Sequence, residues 1–186
     1  MPFRYELRLS GAGGQGLLLA GKIIAEAAAI YDGKIATQAQ SYGPEARGGA
    51  CKCDVVISDG EIEYPAASNL DLLLGFTQES IDAYAKDVKS GGVILVDSGS
   101  VGSVPPGDYR VIELPIVEAA RDQIGRAIAA NLVAVGIIAG LIKVVSVSAI
   151  ESAIRARVPR GTEDFNLRAF RVGLEMGERP DGGPPL

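Results

Sequence analysis

Apolar positions along this 186-residue chain fall into short runs separated by polar or glycine-bearing stretches, and the runs switch between two periods. Residues 5–9 read as a first strand, and residues 17–30, rich in Leu, Ala and Ile, as a first helix. Residues 34–40 form a second apolar segment that ends in glutamines. Residues 51–58 carry Val55-Val56-Ile57 and predict a buried strand. Asp59-Gly60 is a hairpin signal, so residues 61–63 are expected to pair back briefly. Residues 71–75 predict the next strand, and residues 78–89 a helix with Thr77 as its N-cap. Residues 93–96 read as a central strand, and the alternating residues 109–114 as a late or edge strand.

The last third is helical in pattern. Helices are expected over 117–124, 125–143, 148–157 (capped by Ser146 or Ser148) and 163–176 (capped by Thr162). Strands alternating with helices predict an α/β fold, a mostly parallel sheet covered by helices, with a Rossmann-like first βα unit. Residues 1–176 are expected to form a single domain, and the Gly- and Pro-rich residues 177–186 a flexible tail.

Between the first strand and first helix lies Gly11-Ala12-Gly13-Gly14-Gln15-Gly16. A strand, a glycine turn and a helix start together make an anion site. The first helical amides lack intrahelical acceptors, and the helix dipole places partial positive charge there. The spacing fits G-x-G-x-x-G. Dinucleotide binding also requires an acid at the end of the second strand. Here that segment ends in glutamines, and Asp32 precedes it. No Gly-Lys-Ser/Thr follows, so this is not a Walker loop. The pattern therefore points to an anion site other than an NAD site. The simpler reading is a turn that only packs the first helix on the sheet.

Composition narrows the chemistry. With 47% hydrophobic but only 5% aromatic residues, the core must be aliphatic and alanine-rich. The longest apolar stretch, residues 127–145, is broken by Asn131, Gly136, Gly140 and Lys143, which argues for a buried helix rather than a membrane span. The start of the chain lacks a signal-peptide design, so a cytoplasmic location is expected. A net charge of −5 disfavours nucleic-acid binding. The absence of histidine removes the usual general base and the commonest metal ligand. Cys51 and Cys53 are too few for a cluster or zinc site and are expected to be buried fillers.

A second constellation, Ser41-Tyr42-Gly43-Pro44-Glu45-Ala46-Arg47-Gly48-Gly49, precedes the third strand. Arg47 offers a guanidinium fork to a phosphate or carboxylate, Tyr42 a ring and a hydroxyl, and Gly43, Gly48 and Gly49 a close backbone approach. Arg47 equally suits a subunit contact or the ordering of its own loop.

Together, Gly-Gly-Gln-Gly after the first strand, this Ser-Tyr-Gly-Pro-Glu-Ala-Arg-Gly-Gly run, Asn131 in a glycine-bearing helix, and Phe165-Asn166-Leu167-Arg168-Ala169-Phe170 carry a resemblance. The chain resembles the gamma subunit of the 2-oxoacid:ferredoxin oxidoreductases from Arg4 to about Gly173. It is most similar to the 2-oxoglutarate branch; the pyruvate, branched-chain and indolepyruvate branches share the core motifs. The resemblance implies a multi-subunit enzyme that decarboxylates a 2-oxoacid, forms an acyl-coenzyme A and passes electrons to ferredoxin. It implies alpha, beta and ferredoxin-like delta partners, which carry thiamine diphosphate, magnesium and the iron–sulfur clusters. For this chain it implies a share of coenzyme A binding, with no catalytic residue and no metal ligand of its own. Under that reading Gly11, Gly13, Gly14, Gln15 and Gly16 meet the ligand's phosphates, and Ser41, Tyr42 and Arg47 form the opposite wall. Asn131 is assigned to satisfying buried backbone groups. Two other readings stand beside it: a stand-alone dinucleotide-binding dehydrogenase, and a purely structural assembly subunit.

Overall fold

The computed structural model describes residues 3–41 and 51–179. Six strands form one sheet: β1 (Arg4–Gly11), β2 (Ile35–Ser41), β3 (Cys51–Ser58), β4 (Leu70–Gly75), β5 (Val88–Asp97) and β6 (Tyr109–Leu114). Their spatial order is β2-β3-β1-β4-β5-β6. Neighbours β1, β4, β5 and β6 are parallel, while β3 runs antiparallel to both β1 and β2. Five of the six strands therefore point the same way, as the alternating pattern predicts, and β3 is the exception. Position 51 begins its strand beside Gly11, where β1 ends, which fixes the reversed direction.

The helices are α1 (Leu17–Glu26), α2 (Gln78–Tyr84), α3 (Ile116–Ala119), α4 (Ala130–Ile142), α5 (Val147–Arg157) and α6 (Glu163–Gly177). One face of the sheet carries α1, α3, α4, α5 and α6, packed on Leu7, Leu9, Val55, Leu72, Leu74 and Leu95. The other carries α2 and loop residues, over Val56, Leu73, Ile94 and Val96. Alternation along each strand sends successive side chains to opposite faces.

Helix α4 is buried from Ala130 to Gly140 and apolar around its circumference apart from Asn131 in its first turn, which identifies it as the centre of the helical layer. It packs against α6 through Gly136 and Gly140 on one helix and Gly173 and Gly177 on the other. A Cβ at Gly136 would strike the Phe170 carbonyl, and one at Gly173 the Val133 carbonyl. Paired glycines four residues apart let the two backbones touch directly, as small residues do in closely crossing helices.

Several expectations are corrected. Residues 61–63 form no strand, because β1 and β2 already flank β3 on both sides and leave no free edge for a returning segment. The helix expected over 78–89 ends at Tyr84, and after a short 3₁₀ turn Val88 opens β5, where Lys89 already belongs to the strand. The first helix loosens into a π-type turn over Ala27–Tyr31. The helix expected over 117–124 is four residues of α3 followed by another such turn, Ala120–Ile124. Gly125, with φ +87°, stops it, so α4 is a separate helix. Thr162 precedes α6 without a side-chain cap; its hydroxyl donates to the Pro159 carbonyl instead. Among the described residues, no helix is long and apolar enough to cross a membrane.

Candidate functional site

Strands β1 and β4 lie side by side and parallel, yet the chain leaves them on opposite faces. From β1 it enters α1 on the five-helix face; from β4 it enters α2 on the other. Such a point opens a crevice beyond the carboxyl ends of the strands. The Gly11–Gly16 turn and Phe76-Thr77 sit there together, and the ends of β5 and β6 continue the same edge.

The turn is built residue by residue. Gly11 pairs with Cys51 and has no room for a side chain, because Leu17 and Phe76 stand 3.0 Å from where its Cβ would be. Gly14 (φ +85°) and Gly16 (φ +74°) adopt the left-handed conformation that glycine enters without strain. Space beyond Gly13 and Gly14 is open to 4 Å. Gln15 folds back, and its Oε1 accepts the Ala12 N–H at 2.7 Å. That oxygen holds the turn's shape, and only the amide nitrogen of Gln15 remains available as a donor. Helix α1 has no acidic residue in its first turn, so the positive end of its dipole is uncompensated.

Asn131, at the start of α4, closes the turn from below. Its Nδ2 donates to the Gly16 carbonyl at 3.3 Å, and its Oδ1 accepts the Leu132 N–H at 2.9 Å. It thus satisfies backbone groups, in line with its sequence assignment.

Ser41 ends β2 and pairs with Lys52. Tyr42, Gly43, Arg47, Gly48 and Gly49 lie outside the described residues. Of the two flanking positions, Cys51 pairs with Gly11 at the carboxyl end of β1, and Ser41 lies one strand further out, opposite Lys52. Asp32 is unavailable as a ribose acceptor: its two carboxylate oxygens take the Ser146 backbone N–H and hydroxyl, each at 2.6 Å.

Two clefts open on this edge. One, of about 240 Å³, is lined by Gly14, Gln15, Phe76, Val117, Ile128 and neighbouring alanines. The other, of about 550 Å³, lies at the ends of β5 and β6 among Asp97, Ser98, Ser100, Glu118 and Arg121. Val117 belongs to both. Asp97 is buried, and its carboxylate accepts the Val117 N–H at 2.9 Å and the Ser100 hydroxyl at 2.6 Å. The site reading from sequence missed Phe76, Asp97, Val117, Arg121 and Ile128. The polar Asp97 directly after a central apolar strand was the available signal; nothing in the sequence marked Arg121.

Cys51 and Cys53 are both buried and unpaired. Burial pushes the Cys53 thiol up to about 11, with the Gln38 amide 3.1 Å from its sulfur. A thiol so protonated is an inert filler. Among the described residues, no group of His, Cys, Asp and Glu is arranged to hold a metal ion.

Residues 6–176 match the model of the pyruvate ferredoxin/flavodoxin oxidoreductase family. A 2-oxoglutarate synthase subunit KorC from Methanocaldococcus jannaschii is 46% identical over 94% of this chain and 95% of its own. The crystal structure of a keto/oxoacid ferredoxin oxidoreductase gamma subunit from Geobacter sulfurreducens superposes with TM-score 0.86 at 51% identity, covering 93% of this chain and 95% of that one. A 2-oxoglutarate:ferredoxin oxidoreductase from Magnetococcus marinus, described with 2-oxoglutarate, coenzyme A and succinyl-CoA bound, shares the fold: TM-score 0.84 at 21% identity, over 98% of this chain and 32% of that one.

Proposed function

The chain belongs to the pyruvate ferredoxin/flavodoxin oxidoreductase family, and on that premise we propose how it serves an enzyme of this kind. It is the gamma subunit of a 2-oxoglutarate:ferredoxin oxidoreductase, a complex that converts 2-oxoglutarate and coenzyme A to succinyl-CoA and carbon dioxide and hands the two electrons released to ferredoxin. Its alpha, beta and ferredoxin-like delta partners hold thiamine diphosphate, magnesium and the iron–sulfur clusters, and the complex works in the cytoplasm. Within it, this chain takes the anionic part of coenzyme A.

One observation carries the coenzyme A assignment. A left-handed glycine turn, open beyond Gly13 and Gly14, faces the crevice between β1 and β4 at the uncompensated start of α1. Backbone amides and a helix dipole at that place suit a pyrophosphate. No ribose-binding acid accompanies them, since β2 ends in Gln40-Ser41 and Asp32 is tied to Ser146. This disfavours a dinucleotide dehydrogenase.

The chain's own part is binding and orientation. The turn fixes the pyrophosphate, and the rest of the thiol substrate is thereby aimed from a known point. The carbanion chemistry is the cofactor's. The test is dye reduction by the assembled complex with Gly13→Ala. Gly13 has space for a methyl group, so the fold is retained while the ligand's approach is obstructed. The expected result is a KM for coenzyme A raised about tenfold with the KM for 2-oxoglutarate unmoved. An unmoved KM for both assigns the turn to packing alone.

A further inference from the structure

Exposed large apolar side chains are unevenly spread over the surface. Of the eight among the described residues, six stand at one corner: Phe3, Ile30, Tyr31, Ile35, Tyr64 and Val147. This corner is the amino end of β1 and β2, at the opposite end of the sheet from the glycine turn. Arg4 and Ile35 both pair with Ser58 there, whereas Gly11 pairs with Cys51 at the far end. Contacts around the six residues draw them together. The Ser58 hydroxyl donates to the Phe3 carbonyl at 2.8 Å, and Arg4 Nη2 to the Tyr64 carbonyl at 3.2 Å. The Lys34 ammonium lies 5.9 Å from the centre of the Phe3 ring. Asp32, which follows Tyr31, holds the Ser146 N–H and hydroxyl and so brings Val147 alongside. We infer that this corner docks another subunit of the enzyme, one that presents an apolar surface rimmed with basic side chains. The inference rests on the reading of the chain as one subunit of a larger complex.

The partner's chemistry follows from the charges at the corner. The cations are already engaged, Arg4 with the Glu6 carboxylate and Lys34 with the Val144 carbonyl. The acids that follow β3 are not. Asp59, Glu61 and Glu63 are exposed, and their side chains have no hydrogen-bond or ion-pair partner among the described residues. An apolar centre with an acidic rim fits an apolar face ringed by Lys or Arg. A second copy of this chain fits poorly. Its cations are engaged in the same way, its rim is equally acidic, and a net charge of −5 on each chain adds repulsion. The edge strand is an independent sign that the corner is covered. β2 is the outermost strand and begins inside the apolar surface with Ile35. Its seven residues carry no charge and no proline, and they pair with β3 without a bulge. Edges that face water are blunted by devices of this kind. An unblunted edge continuous with exposed Ile and Tyr side chains is a surface built for another chain. Docking at this end leaves the crevice at the other end open to its ligand.

The experiment measures binding of the purified full chain to the remaining subunits of the complex. Ile30→Ser combined with Tyr64→Ser changes two side chains that are 64% and 65% exposed, so the fold is retained. This variant is expected to bind about tenfold or more weakly, as loss of a central anchor does. Val111→Ser, on the opposite edge strand β6, is the control and is expected to bind as the native chain does. A third variant, Asp59→Asn with Glu61→Gln and Glu63→Gln, tests the rim without touching the apolar centre. It is expected to associate more slowly at low salt, with the difference shrinking as salt is added. Native affinity in the Ile30/Tyr64 variant, or a native salt dependence in the acid-free variant, would overturn the inference. So would a native chain that forms a dimer by itself in sedimentation and loses it in the Ile30/Tyr64 variant, since the corner would then belong to a second copy. If the native chain does not bind the other subunits at all, the subunit reading fails and takes the inference with it. If the native chain and both variants bind alike, only the docking corner is removed.

Discussion

The side-chain amide of Asn131 donates to the carbonyl oxygen of Gly16 at 3.3 Å, and its nitrogen stands 2.5 Å from where a Gly16 Cβ would be. The start of α4 therefore occupies the space that a side chain at the start of α1 would need. Residue 16 must be glycine for two separate reasons, its φ of +74° and this contact.

The two reasons can be separated. Gly16→Ala is expected to cost about 1–2 kcal/mol for the left-handed backbone, plus the displacement of Asn131. Asn131→Ala alone is expected to cost about 1 kcal/mol for the lost hydrogen bonds. In the double variant the clash is gone while the backbone strain stays, so its loss should fall short of the sum of the single losses. Urea unfolding of the three variants measures this. Strict additivity would show that the two residues do not meet.

The contact between α4 and α6 makes a sharper steric prediction. A methyl group at Gly173 would meet the Val133 carbonyl oxygen and stand 2.9 Å from the Val133 Cα. Both are backbone, so the helices must separate rather than a side chain rotate. Gly173→Ala is expected to destabilise by about 1–3 kcal/mol, as overpacking does. Gly102→Ala serves as the comparison, since its Cβ would find only Gln78 Oε1, at 3.9 Å. A melting temperature lowered in both variants alike would refute the close approach.

How far the sequence carried can be seen at particular residues. The βα alternation, the glycine turn between β1 and α1 and the edge position of β6 follow from periodicity and glycine placement, which are local signals. The direction of β3 does not, because it depends on which strand it neighbours. Nor does the length of α2: Ala85 to Lys89 suits a helix, but Val88 is drawn into the sheet beside Leu70. The cleft at the ends of β5 and β6 was hidden for the same reason. Asp97 and Arg121 are 24 positions apart, and only the parallel pairing of β5 with β6 brings their segments to one edge. The glycines of α4 and α6 were visible as residues, while their mutual contact is a tertiary fact.

Arg8 supplies a third prediction, one that periodicity would not suggest for a strand buried on both faces. It is 3% exposed and binds the Asp54 carboxylate through Nε at 2.7 Å and Nη2 at 3.0 Å. Nη1 reaches Asp87 at 2.6 Å, Nη2 also donates to the Ala67 carbonyl at 2.8 Å, and the guanidinium lies 4.9 Å from the centre of the Tyr84 ring. Burial alone would lower its pKa, but Asp54 and Asp87 outweigh that and hold it above its ordinary value. Arg8→Met leaves the buried Asp54 carboxylate uncompensated, at an expected loss of about 3–5 kcal/mol. Adding Asp54→Leu should recover much of that loss, because an apolar pair replaces the ion pair. No recovery in the double variant, followed by chemical denaturation, would show that the network is not a paired unit.

Glu6 gives the pH dependence. Its carboxylate accepts the Arg4 Nε at 2.7 Å and the backbone N–H groups of Ser68 and Asn69 at 2.7 and 2.9 Å, binding the loop before β4 to β1. Burial would raise its pKa, but these donors together hold it below the ordinary carboxylate value. A carboxyl group whose pKa is lower in the folded state binds fewer protons there than in the unfolded chain. Its contribution is therefore complete above the unfolded value of about 4.3 and is lost as the pH falls through the folded one. Glu6→Gln removes the charge at every pH. The native protein should melt well above this variant at pH 7, and the gap should close as the pH drops below about 4. A gap that stays constant down to pH 3 would mean that the charge of Glu6 does not hold the loop, and that shape alone does.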